Sequence, residues 1–242
     1  MLHKILQALF TSIRKTILTY CRVDDLVHYG VKVNLNHPSI SKNLKRSFYN
    51  KSYEKDEISI LSEFLKPDDI VMEIGAGIGF LSAFCAQRVG NEKVFAYEAN
   101  PMMIEKINET YSLNNVFPTV SNILLTEKSG EIDFYLEKDF WSSSVVKRSE
   151  GADKIKVKTR DINLDIIDIN PSLLIVDIEG GEMQLVPIID FHNIKKVIIE
   201  VHPHVIGQRE VSKVIALMID KGFNLDLCVS KGIVLFFEKN NI

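Results

Sequence analysis

Val71-Met72-Glu73-Ile74-Gly75-Ala76-Gly77-Ile78-Gly79-Phe80 is an apolar run that enters three alternating glycines and leaves into a second apolar stretch. The pattern reads as a buried strand, a tight turn and the start of a helix. Glycines at such a turn let backbone N–H groups approach a ligand closely. Two ligand classes use this geometry. A dinucleotide site follows G-x-G-x-x-G/A, whose sixth position must be small for helix and strand to pack. Here that position is Phe80, and the spacing is G-x-G-x-G with Glu73 two residues ahead of it. A pyrophosphate is doubly anionic and would be repelled by Glu73, whereas a cationic sulfonium with an amino group would be attracted. The charge argument favours S-adenosylmethionine over NAD.

Outward from the turn, strand and helix alternate. The spacing predicts a helix over 56–65, strands over 70–74 and 93–98, helices over 80–88 and 101–112, and a third strand over 119–125. Residues 131–136 and 155–159 alternate in polarity and predict an antiparallel insertion. Apolar strands follow over 173–178 and 196–201, then a helix over 211–221 and a closing pair over 224–229 and 233–238. Continuous apolar strands separated by helices predict an α/β fold: a doubly wound, mostly parallel sheet with its ligand crevice beyond the carboxyl ends of the strands. Glu98 closes the second strand, where an acid accepts ribose hydroxyls. With Glu73, Gly75, Gly77, Gly79, Ala99 and Asn122 it forms the candidate cofactor set.

Before residue 53 the character changes. Residues 1–55 hold ten Lys/Arg and three acids, the rest nineteen basic and twenty-nine acidic side chains. Leu2, Ile5, Leu6, Leu9, Phe10, Ile13 and Ile17 form one stripe of an amphipathic helix, and 31–35 alternates like a short strand. The expected division is an extension over 1–52 and a main domain over 53–242. The basic arm suits an anionic partner: a phosphate-bearing substrate, nucleic acid or, through the helix, peripheral membrane contact. No apolar run reaches the ~20 residues of a membrane span, and the start lacks the marks of a signal peptide. Cys21, Cys85 and Cys228 are scattered and odd in number, which fits a reducing cytoplasm. The sequence also permits a homo-oligomer.

The acids beyond the fourth and fifth strands are the candidate catalytic groups. Asp177 and Glu179 share a face if the strand is still extended there, Glu182 opens the next helix, and Glu200, His202 and His204 follow the fifth strand. Acids packed so closely raise one another's pKa or demand a cation. The leading assignment takes Glu179 or His202 as proton acceptor, with Asp177 orienting the reacting groups. A divalent ion held by the same groups is the less favoured reading, so no metal ligand is assigned. The segment 139–151, with Trp141, Ser142, Ser143, Ser144, Lys147 and Arg148, suits a lid that stacks on a sugar and meets a phosphate.

These blocks resemble the FkbM family of methyltransferases. The carrying residues are Tyr53-Glu54, the glycine turn with its leading acid, Tyr97-Glu98-Ala99-Asn100-Pro101, Ser129-Gly130-Glu131 through Phe134, and Ser142-Ser143-Ser144. The most specific block is Asp177-Ile178-Glu179-Gly180-Gly181-Glu182, followed by Glu200-Val201-His202. The likeness runs from about Tyr53 to Glu238 and departs from the family where Glu73 replaces the usual Asp and Ile78 the frequent Asn. It implies a Rossmann-like, seven-stranded class I methyltransferase sheet, a cofactor-site role for Glu54, and O-methylation of a sugar, glycan or small natural product. The alternatives are a nucleic-acid methyltransferase and a dinucleotide-dependent oxidoreductase. Base methylation favours an Asn/Asp-Pro-Pro-aromatic signature, which is missing, so a nucleic-acid acceptor is disfavoured.

Overall fold

A computed structural model describes residues 25–136 and 153–239. The amphipathic stripe over 2–17 and the whole of the expected lid over 139–151, Trp141 included, lie outside the described residues.

The chain opens with a short hairpin, β1 (Asp25–His28) and β2 (Val31–Asn34), then α1 (Lys42–Tyr49) and α2 (Lys55–Phe64). β3 (Val71–Ile74), α3 (Phe80–Val89), β4 (Val94–Tyr97), α4 (Ile104–Asn114) and β5 (Thr119–Ser121) form the first half of the winding. An insertion of β6 (Leu124–Thr126), β7 (Gly130–Leu136) and β8 (Asp153–Asp161) follows, then α5 (Ile162–Ile169). The second half is β9 (Leu173–Val176), α6 (Glu182–Leu185), β10 (Lys196–Glu200), α7 (Pro203–Ile206), α8 (Gln208–Asp220), β11 (Asn224–Leu225) and β12 (Val234–Glu238).

Seven strands make one sheet in the order β11-β12-β10-β9-β3-β4-β5. The five strands from β10 to β5 are parallel, and β12 runs antiparallel to both β10 and β11. The winding reverses between β3 and β9, which are hydrogen-bonded neighbours with Ile74 opposite Val176. That reversal leaves a crevice at the carboxyl edge. Alternate side chains feed two cores because strand residues point to opposite faces. Val71, Leu173, Ile175 and Phe236 pack on one side with Phe80, Phe84 and Ile107. Met72, Ile74, Leu174, Val197 and Phe237 pack on the other with Val214 and Phe223. Burial on both faces explains why these strands are apolar throughout. The described part of the extension joins the first core through Leu26, Val31, Val33 and Phe48. No helix among the described residues is long and apolar enough to cross a membrane.

The expected third strand is two strands. Thr119–Ser121 joins β4, whereas Leu124–Thr126 leaves for a three-stranded sheet, parallel to β8. Asn122 causes the break: its Nδ2 donates to the Glu98 carbonyl at 2.8 Å and the Ala99 carbonyl at 3.2 Å. The expected antiparallel insertion is present as β7 and β8, paired from Gly130–Thr159 to Leu136–Asp153. The strand expected over 224–229 stops at Leu225, since Asp226 Oδ1 accepts from the N–H groups of Cys228 and Val229 and forms a turn. The fourth strand ends at Val176, two residues short of expectation. Glu179 (φ 51°) and Gly180 (φ 95°) turn left-handed there, so a loop, not a shared pleat, places Asp177 and Glu179.

At the amino edge of the sheet, Lys196 and Asp69 form a buried ion pair. Lys196 also donates to the Phe64 carbonyl at 2.9 Å, and Asp69 accepts from Ser172 Oγ at 2.7 Å. Removing one member strands the other charge in the interior. Lys196→Met is therefore expected to lower the unfolding free energy by about 3–5 kcal/mol in urea. Asp69→Leu in the same chain should recover much of that loss; additive losses would show that the two charges act independently.

Candidate active site

Backbone contacts join the ends of β3, β4 and β9. The N–H groups of Gly75 and Ala76 donate to the Tyr97 carbonyl at 2.9 and 3.0 Å. Gly75 has φ 91°, and a Cβ there would fall 1.7 Å from the Asp177 carbonyl oxygen. No other residue tolerates that approach. Gly79 serves differently: it enters α3 left-handed (φ 74°), and a Cβ would press on Ile107 and Tyr111. Gly77 N–H donates to Glu98 Oε2 at 2.8 Å, and Asn100 N–H to Oε1 at 2.7 Å. Burial pushes the Glu98 carboxyl up to about 7 against these bonds.

A cavity of about 720 Å³ opens over this edge. Its lining includes the apolar side chains of Ile123, Leu125, Ile132, Phe134 and Ile188. The lining is also rich in acids. Glu54, Asp56, Glu57, Glu73, Glu98, Glu127, Asp177, Glu179 and Glu200 line the cavity, with Lys55 the only Lys or Arg among its described lining residues. Such a surface repels a pyrophosphate and attracts cations and hydroxyl donors.

Behind these acids stands His202, 3% exposed. Its Nδ1 lies 2.6 Å from Oε1 of Glu182, which is fully buried and also accepts from Gly180 N–H at 3.0 Å. Glu182 is thus the partner that orients the imidazole. The other ring nitrogen, Nε2, faces Asp177 Oδ1 at 3.5 Å, Glu179 Oε2 at 3.7 Å and Glu200 Oε1 at 3.8 Å. Burial alone would pull the imidazole down; the hydrogen bond to Glu182 and the charges of Glu179 and Glu200 outweigh it and hold His202 above its usual value. Burial, with Glu200 and Glu179 adding repulsion, pushes Asp177 well above the carboxylate range.

The candidate residues fall into three groups. Gly75, Gly77, Glu98 and Ala99 line the cavity at the glycine turn, with Asn122 tied to the Glu98 and Ala99 carbonyls beside them. Asp177 and Glu179 line the cavity too, and His202 contacts both from behind. Glu54 reaches the same cavity from the left-handed residue before α2, where burial and then Glu57 and Asp177 push its carboxyl well up. Glu73 shares the sheet face of Val71, beside α3. Its carboxyl is pushed up by burial to about 8, with the Ser82 hydroxyl and N–H opposing the rise. It steadies the start of α3 as well as reaching the cavity. His204 meets the His202 ring edge-on, at 5.7 Å between centroids. Glu57 was not expected. It is buried on α2, and burial with repulsion from Glu200 pushes it up to about 8. A glutamate on the same helix face as Ile58 and Leu61 was its one sequence signal.

Residues 73–225 match the family model described as the methyltransferase FkbM domain. The hexuronic acid methyltransferase AglP of Haloferax volcanii is 26% identical over 168 residues, 67% of this chain and 68% of that protein. Protein arginine N-methyltransferase 1 of Oryza sativa subsp. indica is 33% identical over 99 residues, 40% of this chain but 23% of its own length. A methyltransferase structure from Pyrococcus furiosus superposes with a TM-score of 0.46 at 14% identity, covering 98% of each chain.

The buried acids make folding pH-dependent. Glu57 and Glu73 titrate at about 8 and Glu98 at about 7, against an ordinary value of 4.5. Between pH 4.5 and 8 the folded chain therefore holds protons that the unfolded chain has released. By linkage its stability is complete below that window and declines as pH rises through it. Without ligand, the melting temperature should be several degrees higher at pH 5.5 than at pH 8.5. A rise across that interval in a calorimetric series would contradict the burial of these groups.

Proposed function

The chain belongs to the FkbM methyltransferase family and is an S-adenosylmethionine-dependent methyltransferase; from that premise we propose that it methylates a hydroxyl of a sugar or other polyhydroxylated small molecule. The observation that carries this reading is a cavity lined by nine acidic side chains and, among the described residues, one lysine. Carboxylates are acceptors for hydroxyl groups, and a neutral polyol offers many. The hexuronic acid named for the Haloferax relative belongs to the same chemical class. An acceptor that carries a carboxylate or phosphate would turn that group away from these acids.

The donor supplies an electrophilic methyl on a sulfonium. Glu98 would accept from its ribose hydroxyls, and the Gly75–Gly77 backbone would let it approach the sheet edge closely. Its positive charge meets carboxylates, and developing charge is stabilised where the site is already polarised. Glu179 takes the acceptor's proton, while Asp177, braced from behind by His202, holds the hydroxyl in line with the methyl. The carbon–sulfur bond breaks as the carbon–oxygen bond forms. The displaced group would be a neutral thioether, and Glu179 would keep the acceptor's proton.

Glu98→Ala should raise the dissociation constant for S-adenosylhomocysteine roughly tenfold to a hundredfold, the worth of charge-assisted bonds at about 1.5–3 kcal/mol. In the wild-type chain the same constant should rise as pH falls from 8 to 6, since Glu98 must be ionised to accept those bonds. Calorimetric titration measures both, and tight binding of NAD in place of S-adenosylhomocysteine would refute the donor assignment.

Glu179→Gln is expected to cut turnover at least about a hundredfold with S-adenosylhomocysteine affinity nearly unchanged. Radiolabelled methyl transfer to a panel of sugars and uronic acids reads that loss and tests the acceptor class; undiminished turnover in this variant removes Glu179 from the proton path.

A further inference from the structure

The His202 cage has a feature that proton transfer does not require. Nδ1 is anchored to a fully buried carboxylate, which turns the lone pair of a neutral imidazole, at Nε2, toward Asp177, Glu179 and Glu200. At 3.5–3.8 Å those carboxylates are too distant for good hydrogen bonds. Asp177 Oδ1 is shielded from solvent and has no hydrogen-bond partner. An imidazole aimed at the unpartnered Asp177 oxygen, with its far nitrogen fixed by a carboxylate, is the arrangement by which a histidine is oriented toward a metal.

We infer that Asp177, Glu200 and His202 bind one divalent cation, with open positions for acceptor oxygens. One ligand atom from each of the three lies within 4.8 Å of the others. With bonds of about 2.1 Å, octahedral neighbours stand about 3 Å apart and opposite ligands about 4.2 Å, so sub-ångström shifts of flexible side chains suffice. Two carboxylates and one imidazole suit Mn²⁺, which takes oxygen ligands readily and accepts nitrogen. Glu182 is the positioning residue for the imidazole, and Glu57, hydrogen-bonded to Glu200, steadies the second carboxylate.

The site lies where β9 and β10 end, with the Asp177 backbone against Gly75. The consequence for catalysis rests on the proposed acceptor position: the ion would orient an acceptor hydroxyl beside the methyl and ease loss of its proton to Glu179. Ion binding itself does not depend on that reading.

The test is titration of the chelator-treated full chain with Mn²⁺, reading free ion by electron paramagnetic resonance. One bound equivalent per chain is expected. His202→Gln and Glu200→Gln should each weaken it at least about tenfold, and Glu182→Gln about tenfold to a hundredfold, with the thermal transition of each variant reporting that it is folded. A second measurement needs no variant: bound Mn²⁺ should broaden the proton resonances of S-adenosylhomocysteine next to its sulfur. No bound equivalent would leave the imidazolium as the cage's own cation and overturn the site. So would variants that bind as tightly as wild type, or an ion that leaves those resonances sharp. Failure of S-adenosylhomocysteine itself to bind would instead count against the donor assignment, while the Mn²⁺ titration still decides the ion.

Discussion

Gly75 and the Asp177 carbonyl lie so close that a single added methyl would stand 1.7 Å from the oxygen. That contact brings the turn after β3 and the loop after β9 to one point. Each of these segments alone is a generic strand ending. Together they set the glycine backbone against the acids of the loop after β9. The close approach in turn depends on the parallel register of β3 and β9, with Ile74 opposite Val176, and so on the apolar strands that drive the sheet together.

The two edges of the sheet treat buried charge in opposite ways. At the amino edge Lys196 and Asp69 neutralise each other, with Ser172 and the Phe64 carbonyl completing the set. At the carboxyl edge Asp177, Glu179, Glu182 and Glu200 crowd around one imidazole, with Glu57 against Glu200. Concentrated like charge destabilises a fold unless protons or cations relieve it. The strain sits at the crevice, where a cationic ligand can relieve it, and folding stability and ligand affinity are linked through the same carboxylates.

Much of the fold was legible because strands buried on both faces must be apolar throughout, and the runs at 71–74, 173–176 and 196–200 stand out for that reason. Elements without such a signature were not. α1 (Lys42–Tyr49) buries only Leu44 and Phe48 in a lysine-rich stretch, and α5 (Ile162–Ile169) follows so closely on β8 that its Asp161 cap reads as strand. The split after Ser121 was hidden because Asn122 acts through hydrogen bonds to residues 98 and 99, far away in the chain. Glu57 shows the same limit: a glutamate on a helix face looks solvated until the strand end carrying Glu200 packs over it.

Local order and composition determined the alternating α/β architecture, the glycine turn, the acid at the end of β4 and the cluster over 177–182, since each is written in the spacing of a few adjacent residues. The partners of those residues were decided only by tertiary structure. Glu182 became the anchor of His202, Glu73 turned toward α3, and Asp177 and Glu179 met across a left-handed loop in place of a strand face. Distances between side chains twenty or more residues apart follow from how the sheet twists and closes, and no local pattern encodes them.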